Sequence, residues 1–392
     1  MKSANSAIIE ETAMNVRIKN CFPGFTMAVC FTAALLIGGA GAAQEKKFPP
    51  LGPLPPVPVP ADNPMSAAKV ALGKLLFFDA RLSGDASTSC ASCHSPESGW
   101  GDGGDLSRGY PGTQHWRNSQ TILNSAYYAK LFWAGESTSL EAQARSAATG
   151  NVAGNGDTMM MEERLRQVPE YVGRFREVFG TPWPTIDDAW RAISAFERTV
   201  VSRAKDVPFD RFMKGDAKAL SEGAKRGLAL FQGKAGCVQC HNGALLSDED
   251  YHNIGVPKNP AFEEDPLRQI TLRYQHVIRG VPESVYRKAD RDLGLFYTTK
   301  READKGRFRT PSLRELKYTA PYMHNGAFFE LDEVIDFYDE GGGQDANRSP
   351  LIRKLGLTDE EKEDLLAFLE SLSSDEPLLM KPPELPPYAA MP

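Results

Sequence analysis

A basic charge excess is missing from this sequence. Lys and Arg number 45 against 51 Asp and Glu, a formal net charge of −6. That removes the electrostatic footprint that nucleic-acid binding needs. It leaves a mildly acidic surface, which would suit a basic protein partner. Long apolar runs are missing beyond the N-terminal region, so no later segment is long enough to span a bilayer. Alternating, period-two hydrophobic stretches are scarce, so the fold class reads as mainly α. Cysteine is scarce as well, with six in 392 residues, and its placement carries most of the information.

The length suffices for two domains, each with its own core. At the N-terminus, Arg17 and Lys19 precede an apolar stretch over residues 25–37, and the small residues Gly38, Gly39, Ala40, Gly41, Ala42 and Ala43 follow. Positive, apolar, then small is the order of a secretory signal, with cleavage near Ala43. A retained membrane anchor is the competing reading, but the run is short for a spanning helix. Residues 1–43 therefore read as a signal peptide. The mature chain reads as soluble and exported.

Cys21 and Cys30 leave with that signal. The four remaining cysteines form two identical motifs, Cys90-Ala91-Ser92-Cys93-His94 and Cys237-Val238-Gln239-Cys240-His241. C-x-x-C-H is the attachment signature of c-type haem. Two thiols three positions apart can each form a thioether to one porphyrin, and the adjacent imidazole then lies under the iron as proximal ligand. A four-cysteine zinc site would pair the motifs across a long separation and leave both histidines unexplained. A dithiol oxidoreductase would place one motif at a helix start in a βαβ setting. Two covalently bound haem c groups are the expectation, and export fits them.

Residues 44–64 are proline-rich and read as a stiff linker. A helix follows, with Asn63 as cap, Pro64 in its first turn, and Ala68, Leu72, Leu75 and Leu76 on its apolar face. Glycine-rich turns occupy residues 99–112. Leu165, Val168, Val172, Phe175 and Phe179 recur at helical spacing, with a break at Pro169. Ile186, Trp190, Ile193 and Val200 continue behind a Thr185 cap. Residues 205–220 read as a connection. A second unit then repeats the order of helix, C-x-x-C-H, glycine-rich loops and closing helices. Its first helix runs from Ser221 towards Gly233. Its last opens on the capping box at Thr358 and Glu361. Residues 376–392 read as a proline-rich tail. The expected architecture is two cytochrome c-like haem domains in tandem, over residues 65–215 and 216–375.

Several stretches around the two motifs resemble the bacterial di-haem cytochrome c peroxidases and their MauG-type relatives. They are Leu72-Gly73-Lys74-Leu75-Leu76-Phe77-Phe78-Asp79, Arg117-Asn118-Ser119-Gln120-Thr121 and Phe132-Trp133-Ala134-Gly135. Further on come Ala195-Phe196-Glu197-Arg198-Thr199, Phe308-Arg309-Thr310-Pro311-Ser312-Leu313-Arg314 and Thr319-Ala320-Pro321-Tyr322-Met323-His324-Asn325-Gly326. The resemblance covers residues 63–373. It implies that His94 holds a peroxidatic iron and His241 an electron-relay iron, with Trp133 between them. It implies a distal-pocket role for Gln143. It also implies one interdomain Ca2+, held by the Asn118 side chain and the Thr319 and Pro321 carbonyls, oxygen ligands of the kind calcium prefers.

Two departures stand out. Where the family has a glutamate that handles peroxide protons, this chain has Gly150-Asn151-Val152-Ala153-Gly154-Asn155-Gly156-Asp157, and Asp157 falls in the wrong register. Where classical peroxidases have a methionine ligand to the relay iron, this chain has Tyr338, as in the MauG type. A phenolate favours ferric iron and lowers the potential, whereas thioether sulfur raises it.

For most other positions the plain reading is structural. His115 reads as a loop-bracing histidine, with iron ligation the alternative. His252 and His276 read as structural or surface residues. His324 reads as a contact to a haem propionate, and Met323 is an alternative sixth ligand. Met159, Met160 and Met161 read as packing residues. Tyr338 and Trp133 could each be ordinary core residues. The charged stretch 259–291 reads as a solvated insertion.

Three functions stay open on sequence. The first is a periplasmic peroxidase that takes electrons from a small c-type cytochrome or cupredoxin. The second is a MauG-like oxidase acting on Trp or Tyr of a partner protein, and the third is a plain di-haem electron carrier. A homodimer is compatible with each.

Overall fold

The computed structural model describes residues 48–110 and 112–389. The export signal, Cys21 and Cys30 lie outside them. No described helix is long and apolar enough to cross a membrane. Helix α1 (Ala67–Phe78) precedes the first C-x-x-C-H. After that motif come the two-residue hairpin β1 (Arg108–Gly109) and β2 (Thr113–Gln114), then α2 (Leu140–Thr149), α3 (Thr158–Arg166), α4 (Pro169–Phe179) and α5 (Ile186–Glu197). Helices α6 (Pro208–Met213) and α7 (Glu222–Gln232) lead to the second motif. Strand β3 (Tyr251–His252) pairs antiparallel with β4 (Phe308–Arg309), and α8 (Pro260–Glu264), α9 (Pro266–Ile278), α10 (Glu283–Tyr286) and α11 (Phe296–Thr299) lie between them in sequence. Helices α12 (Leu331–Asp339) and α13 (Asp359–Glu370) close the chain. The mainly α expectation holds.

Two apolar clusters form the interior. One gathers Leu72, Leu76, Phe77, Trp100, Leu165, Phe175, Ile193 and Phe196. The other gathers Phe209, Phe231, Leu246, Ile335, Leu365 and Phe368. The same contact organises each. A Cβ on Gly73 of α1 would lie 1.9 Å from the Ala192 carbonyl oxygen of α5, and a Cβ on Gly227 of α7 would lie 1.9 Å from the Asp364 carbonyl oxygen of α13. Only hydrogen fits at either crossing. Four residues on from each of those positions, the rings of Phe77 and Phe196 meet at 5.2 Å, and those of Phe231 and Phe368 at 5.0 Å. The internal repeat is therefore a repeat of packing, in which glycine sets the helix approach and a phenylalanine pair sets the register.

Capping follows the sequence in most places. Thr185 caps α5, Ser221 caps α7, and Thr358 with Glu361 forms the box at α13. The first helix differs from expectation. It begins at Ala67 with Ser66 as cap, and not at Asn63. Asn63 is buried instead. Its carbonyl accepts from Lys69 Nζ at 2.8 Å, and its amide donates to Glu141 at 2.7 Å and to the Arg191 carbonyl at 3.0 Å. A buried side-chain amide that finds partners on two other helices is better satisfied there than at a solvent-facing cap.

Both proline-rich ends are docked, contrary to their reading as linker and tail. Phe48 and Leu51 pack into the second cluster, and the Gly52 carbonyl accepts from Arg314 at 2.7 Å. Leu378, Met380 and Leu385 pack on the first cluster. The Leu378 carbonyl accepts from Trp100 Nε1 at 2.8 Å, and the Pro386 carbonyl from Arg81 at 2.7 Å. Each end thus covers the half that is remote in sequence. The stretch read as a connection contains α6, whose Asp210 forms a fully buried ion pair with Arg314 at 3.0 Å.

The insertion at 259–291 is not merely solvated. Phe262 and Leu272 join Leu106, Trp116 and Val152 in a third apolar cluster. Arg268 donates to the His115 carbonyl at 2.8 Å. Helix α9 therefore lies over the loops that follow the first C-x-x-C-H.

Ala at Gly73 or Gly227 should lower stability by about 1–3 kcal/mol, the usual cost of overpacking a tight contact. Gly173 of α4 has nothing within 4 Å of where a Cβ would stand, and Ala there should be neutral or should stabilise by up to about 1 kcal/mol. Denaturant midpoints of the three haem-loaded variants, read against the parent protein, check this.

Candidate functional site

The two C-x-x-C-H motifs fold alike. Each pair of cysteines spans one 3-10 turn, Cys90–Ser92 and Cys237–Gln239. All four thiols are free of disulfides. His94 Nδ1 lies 3.1 Å from the Trp100 carbonyl, and His241 Nδ1 lies 3.1 Å from the Leu246 carbonyl. Trp100 and Leu246 both have positive φ, 62° and 55°, a conformation uncommon outside glycine. With Nδ1–H donated to a carbonyl, each Nε2 is left as a bare lone pair, the form that binds iron.

Burial lowers the pKa of both histidines and keeps them neutral. Burial likewise pushes the Cys90 and Cys237 thiols up to about 12, and Cys93 up to about 11. Two cysteines beside a bare imidazole nitrogen are the donor set of thioether haem attachment. Both motifs line one continuous cavity of about 750 Å3. The donor set, its duplication and the space fit two covalent haems.

A buried polar cluster lines the same cavity as the two motifs. Trp133 Nε1 donates to the Asn118 carbonyl at 3.0 Å, and Asn118 N–H donates to the His324 carbonyl at 2.8 Å. The rings of Trp133 and His324 meet edge-on at 6.3 Å, and His324 stacks on Phe308 at 3.6 Å. Burial drives His324 down to about 4, so this imidazole is neutral. Arg117 pairs with Asp292 at 2.5 Å and with Glu136 at 3.1 Å. Burial alone would raise Asp292, but the Arg117 guanidinium overrides it and holds the carboxyl well below its ordinary range.

The residues expected on sequence fall as follows. Gln143 of α2 lines the cavity, and so do Trp133, His115, Met323 and His324. Tyr338 of α12 lines it on the side of Cys237 and Cys240, and burial raises its phenol pKa. Asn118, Thr319 and Pro321 line the same cavity. The Asn118 amide nitrogen donates to the Gly104 carbonyl at 2.9 Å. Asp157 does not reach the site. It caps α3, accepting from Met160 N–H at 2.9 Å. His115 stacks on Trp116 at 4.2 Å and accepts from Arg117 N–H on Nδ1 at 3.2 Å, a bracing role. His276 is fully buried, as a structural residue would be. Met161 is buried, whereas Met159 and Met160 are exposed and do not pack.

Other residues at the site gave no clear signal in the sequence. His252 lines the cavity beside Cys240. Its contact to Asp248 at 3.1 Å, above all, raises its pKa to about 10. Asp248 and His252 come close enough to Cys240 for a shared metal, but the thioether reading takes that sulfur. Four carboxylates line the cavity: Glu136, Glu197, Asp292 and Asp345. The first and third pair with Arg117, and Asp345 pairs with Arg291 at 2.9 Å. Glu197 forms no ion pair among the described residues, and burial raises it to about 8. The long-range Asp292–Arg117 pair has no local sequence signature, whereas the Glu197 stretch was legible only as a family marker.

Two haem-attachment turns facing one cavity define the class, a di-haem c-type redox protein. Residues 67–218 match the family model described as di-haem cytochrome c peroxidase. The chain is 61% identical over 354 residues to cytochrome-c peroxidase IdrP1 of Denitromonas iodatirespirans, covering 90% of this chain and 94% of that one. It is 38% identical to the methylamine utilization protein MauG of Methylorubrum extorquens, over 84% and 85% of the two chains. It is 34% identical to cytochrome c551 peroxidase of Pseudomonas aeruginosa, over 82% and 83%. Among solved structures, a MauG-like protein associated with microbial copper homeostasis superposes with a TM-score of 0.70 at 34% identity, over 83% of this chain and 95% of that one. The chain belongs to the di-haem cytochrome c peroxidase family, a family of oxidoreductases.

The state of Glu197 has a pH consequence. Its folded pKa of about 8 stands above its ordinary 4.5, so the unfolded chain binds fewer protons between those values, and stability falls as pH rises through the upper one. His324, lowered to about 4 from 6.5, acts oppositely, but only below about pH 6.5. Between about pH 6.5 and 8 the parent protein should therefore lose stability relative to Glu197→Gln. Denaturant titrations of both proteins across that window measure the difference.

Proposed function

We propose that this protein is an exported, periplasmic di-haem peroxidase that reduces hydrogen peroxide with electrons from a small c-type cytochrome or cupredoxin. The observation that supports this most is the single cavity bearing both C-x-x-C-H motifs, with Trp133 in its lining. When bound, the haems supply one-electron redox chemistry and a coordination position for peroxide. His94 would hold the peroxidatic iron, and His241 the relay iron in the C-terminal of two tandem haem domains. Gln143 offers an amide to the peroxide side. Tyr338 would be the distal ligand of the relay iron. The Asn118 side chain and the Thr319 and Pro321 carbonyls would hold one Ca2+. Trp133, in the lining of the shared cavity, would carry electrons between the two haems.

The second reading, oxidation of Trp or Tyr on a partner protein, is favoured by one observation. Tyr338 faces the cavity beside Cys237 and Cys240, and a hard phenolate would hold the relay potential low.

Reduced cytochrome c and hydrogen peroxide, mixed with calcium-loaded holoprotein, should give steady-state turnover. No turnover after prior reduction would defeat the peroxidase reading. Tyr338→Met should raise the relay-haem potential and alter its spectrum, while the mass still shows two attached haems. An unchanged spectrum would remove Tyr338 from the ligand set.

A further inference from the structure

The inserted helix α9 has two faces. Thr271, Leu272, Gln275 and His276 are buried against the body of the protein. Leu267, Ile270, Tyr274, Val277 and Ile278 are exposed, at 61%, 58%, 41%, 47% and 46%. Their spacing of three and four places them in one stripe along the helix. Scattered exposed apolar residues need no explanation, but a contiguous rank of five on one helix does.

The helix itself carries only cationic charged side chains, although Glu263, Glu264 and Asp265 precede it and Glu283 follows. Residues 266–282 contain Arg268, Arg273 and Arg279 and no Asp or Glu, although the whole protein carries −6. Arg268 is turned inward, onto the His115 carbonyl. Arg279 is exposed and forms no ion pair among the described residues. It lies over the Tyr297 ring at 5.2 Å. Lys288 is exposed nearby in sequence.

The stripe also runs to the site. Ile278 and Arg279 line the mouth of the cavity. Behind α9, Tyr297 donates to Gln275 at 2.6 Å, and Arg117 lies over the Tyr297 ring at 5.7 Å. Arg117 is followed directly by Asn118, which accepts from Trp133. A protein seated on α9 is thus one layer of side chains from the buried polar cluster that lines the cavity.

We infer that α9 is the docking surface for an acidic redox protein, whose apolar patch covers Leu267, Ile270, Tyr274 and Val277 and whose carboxylates face Arg273 and Arg279. This reverses the basic partner that net charge alone suggests. It rests on the peroxidase reading and names the chemistry of the donor. Each docked donor supplies one electron, and two electrons with two protons convert one peroxide to two waters. Opposite charge across such a surface raises the encounter rate and fixes the partner's identity.

The test uses the mature holoprotein and two double variants, Leu267→Ser with Ile270→Ser, and Leu267→Asp with Ile270→Asp. Peroxide turnover is followed with three reductants: an acidic single-haem cytochrome c, a basic one, and a small organic dye. KM for the acidic cytochrome should rise about threefold in the serine variant and about tenfold or more in the aspartate variant. It should also rise with ionic strength, while kcat with the dye and KM for peroxide stay unchanged. Preserved dye turnover shows that the variants fold and that the peroxidase reading stands. With dye turnover preserved, an unmoved KM for the acidic cytochrome overturns the docking proposal. So does a larger effect on the basic cytochrome, a loss of dimer on sedimentation of the variants, or parent-only binding to phosphatidylglycerol vesicles. Absence of turnover with every reductant, parent included, would instead remove the peroxidase reading itself.

Discussion

The position of the histidine in each C-x-x-C-H motif depends on two helices approaching closer than side chains normally allow. At Gly73 and at Gly227 the facing element is a backbone carbonyl, not a side chain. Backbone does not yield to an added methyl as a flexible side chain can. The helix that enters each C-x-x-C-H turn is thereby locked to the helix that closes the same half. The Phe77–Phe196 and Phe231–Phe368 pairs then fix its rotation. Beyond each anchored helix the chain forms the cysteine turn, and the imidazole falls where the Trp100 or Leu246 carbonyl can orient it.

The repeat extends into the loops, and there its differences matter more than its likeness. Phe132 and Met323 have positive φ, as do Gly135 and Gly326 three residues on from each. The bridges Leu131 to Ser137 and Tyr322 to Phe328 close the two loops in the same way. Trp133 and His324 are therefore equivalent positions of the two halves, and their rings meet edge-on. One half contributes an electron-rich indole, the other a neutral imidazole stacked on Phe308. A symmetric scaffold thus carries an asymmetric junction.

Much of this was legible in the sequence, because its signals are local. The two C-x-x-C-H motifs, the Thr185, Ser221 and Thr358 caps and the break at Pro169 are each set by neighbours a few residues away. The errors lie where distant partners decide. Asn63 looked like a cap but is claimed by Glu141 and Arg191. The proline-rich ends looked like free chain, yet Leu51 and Leu378 each find an apolar cluster on the opposite half. The insertion looked solvated by composition, because periodicity does not say which protein surface an amphipathic helix will meet. The Arg117–Asp292 pair joins residues far apart in sequence, and nothing local to either marks them as partners.

The missing distal glutamate has a structural counterpart. The turn over residues 150–154 presents backbone and small side chains to the cavity, and β1 closes on it so tightly that a Cβ on Gly109 would lie 1.8 Å from the Val152 carbonyl oxygen. Asp157, the nearest carboxylate downstream, is committed to the α3 cap. Of the four carboxylates in the cavity wall, Glu136, Asp292 and Asp345 are ion-paired with arginine. An ion-paired carboxylate is a poor store for a proton, since protonation would strand its buried cation. Glu197 alone has the opposite electrostatics. It lacks an ion pair, and burial keeps it protonated near neutral pH. Among these carboxylates, the one that burial shifts toward its protonated form thus sits on α5, on the Cys90 side, and not on the turn after Gln143.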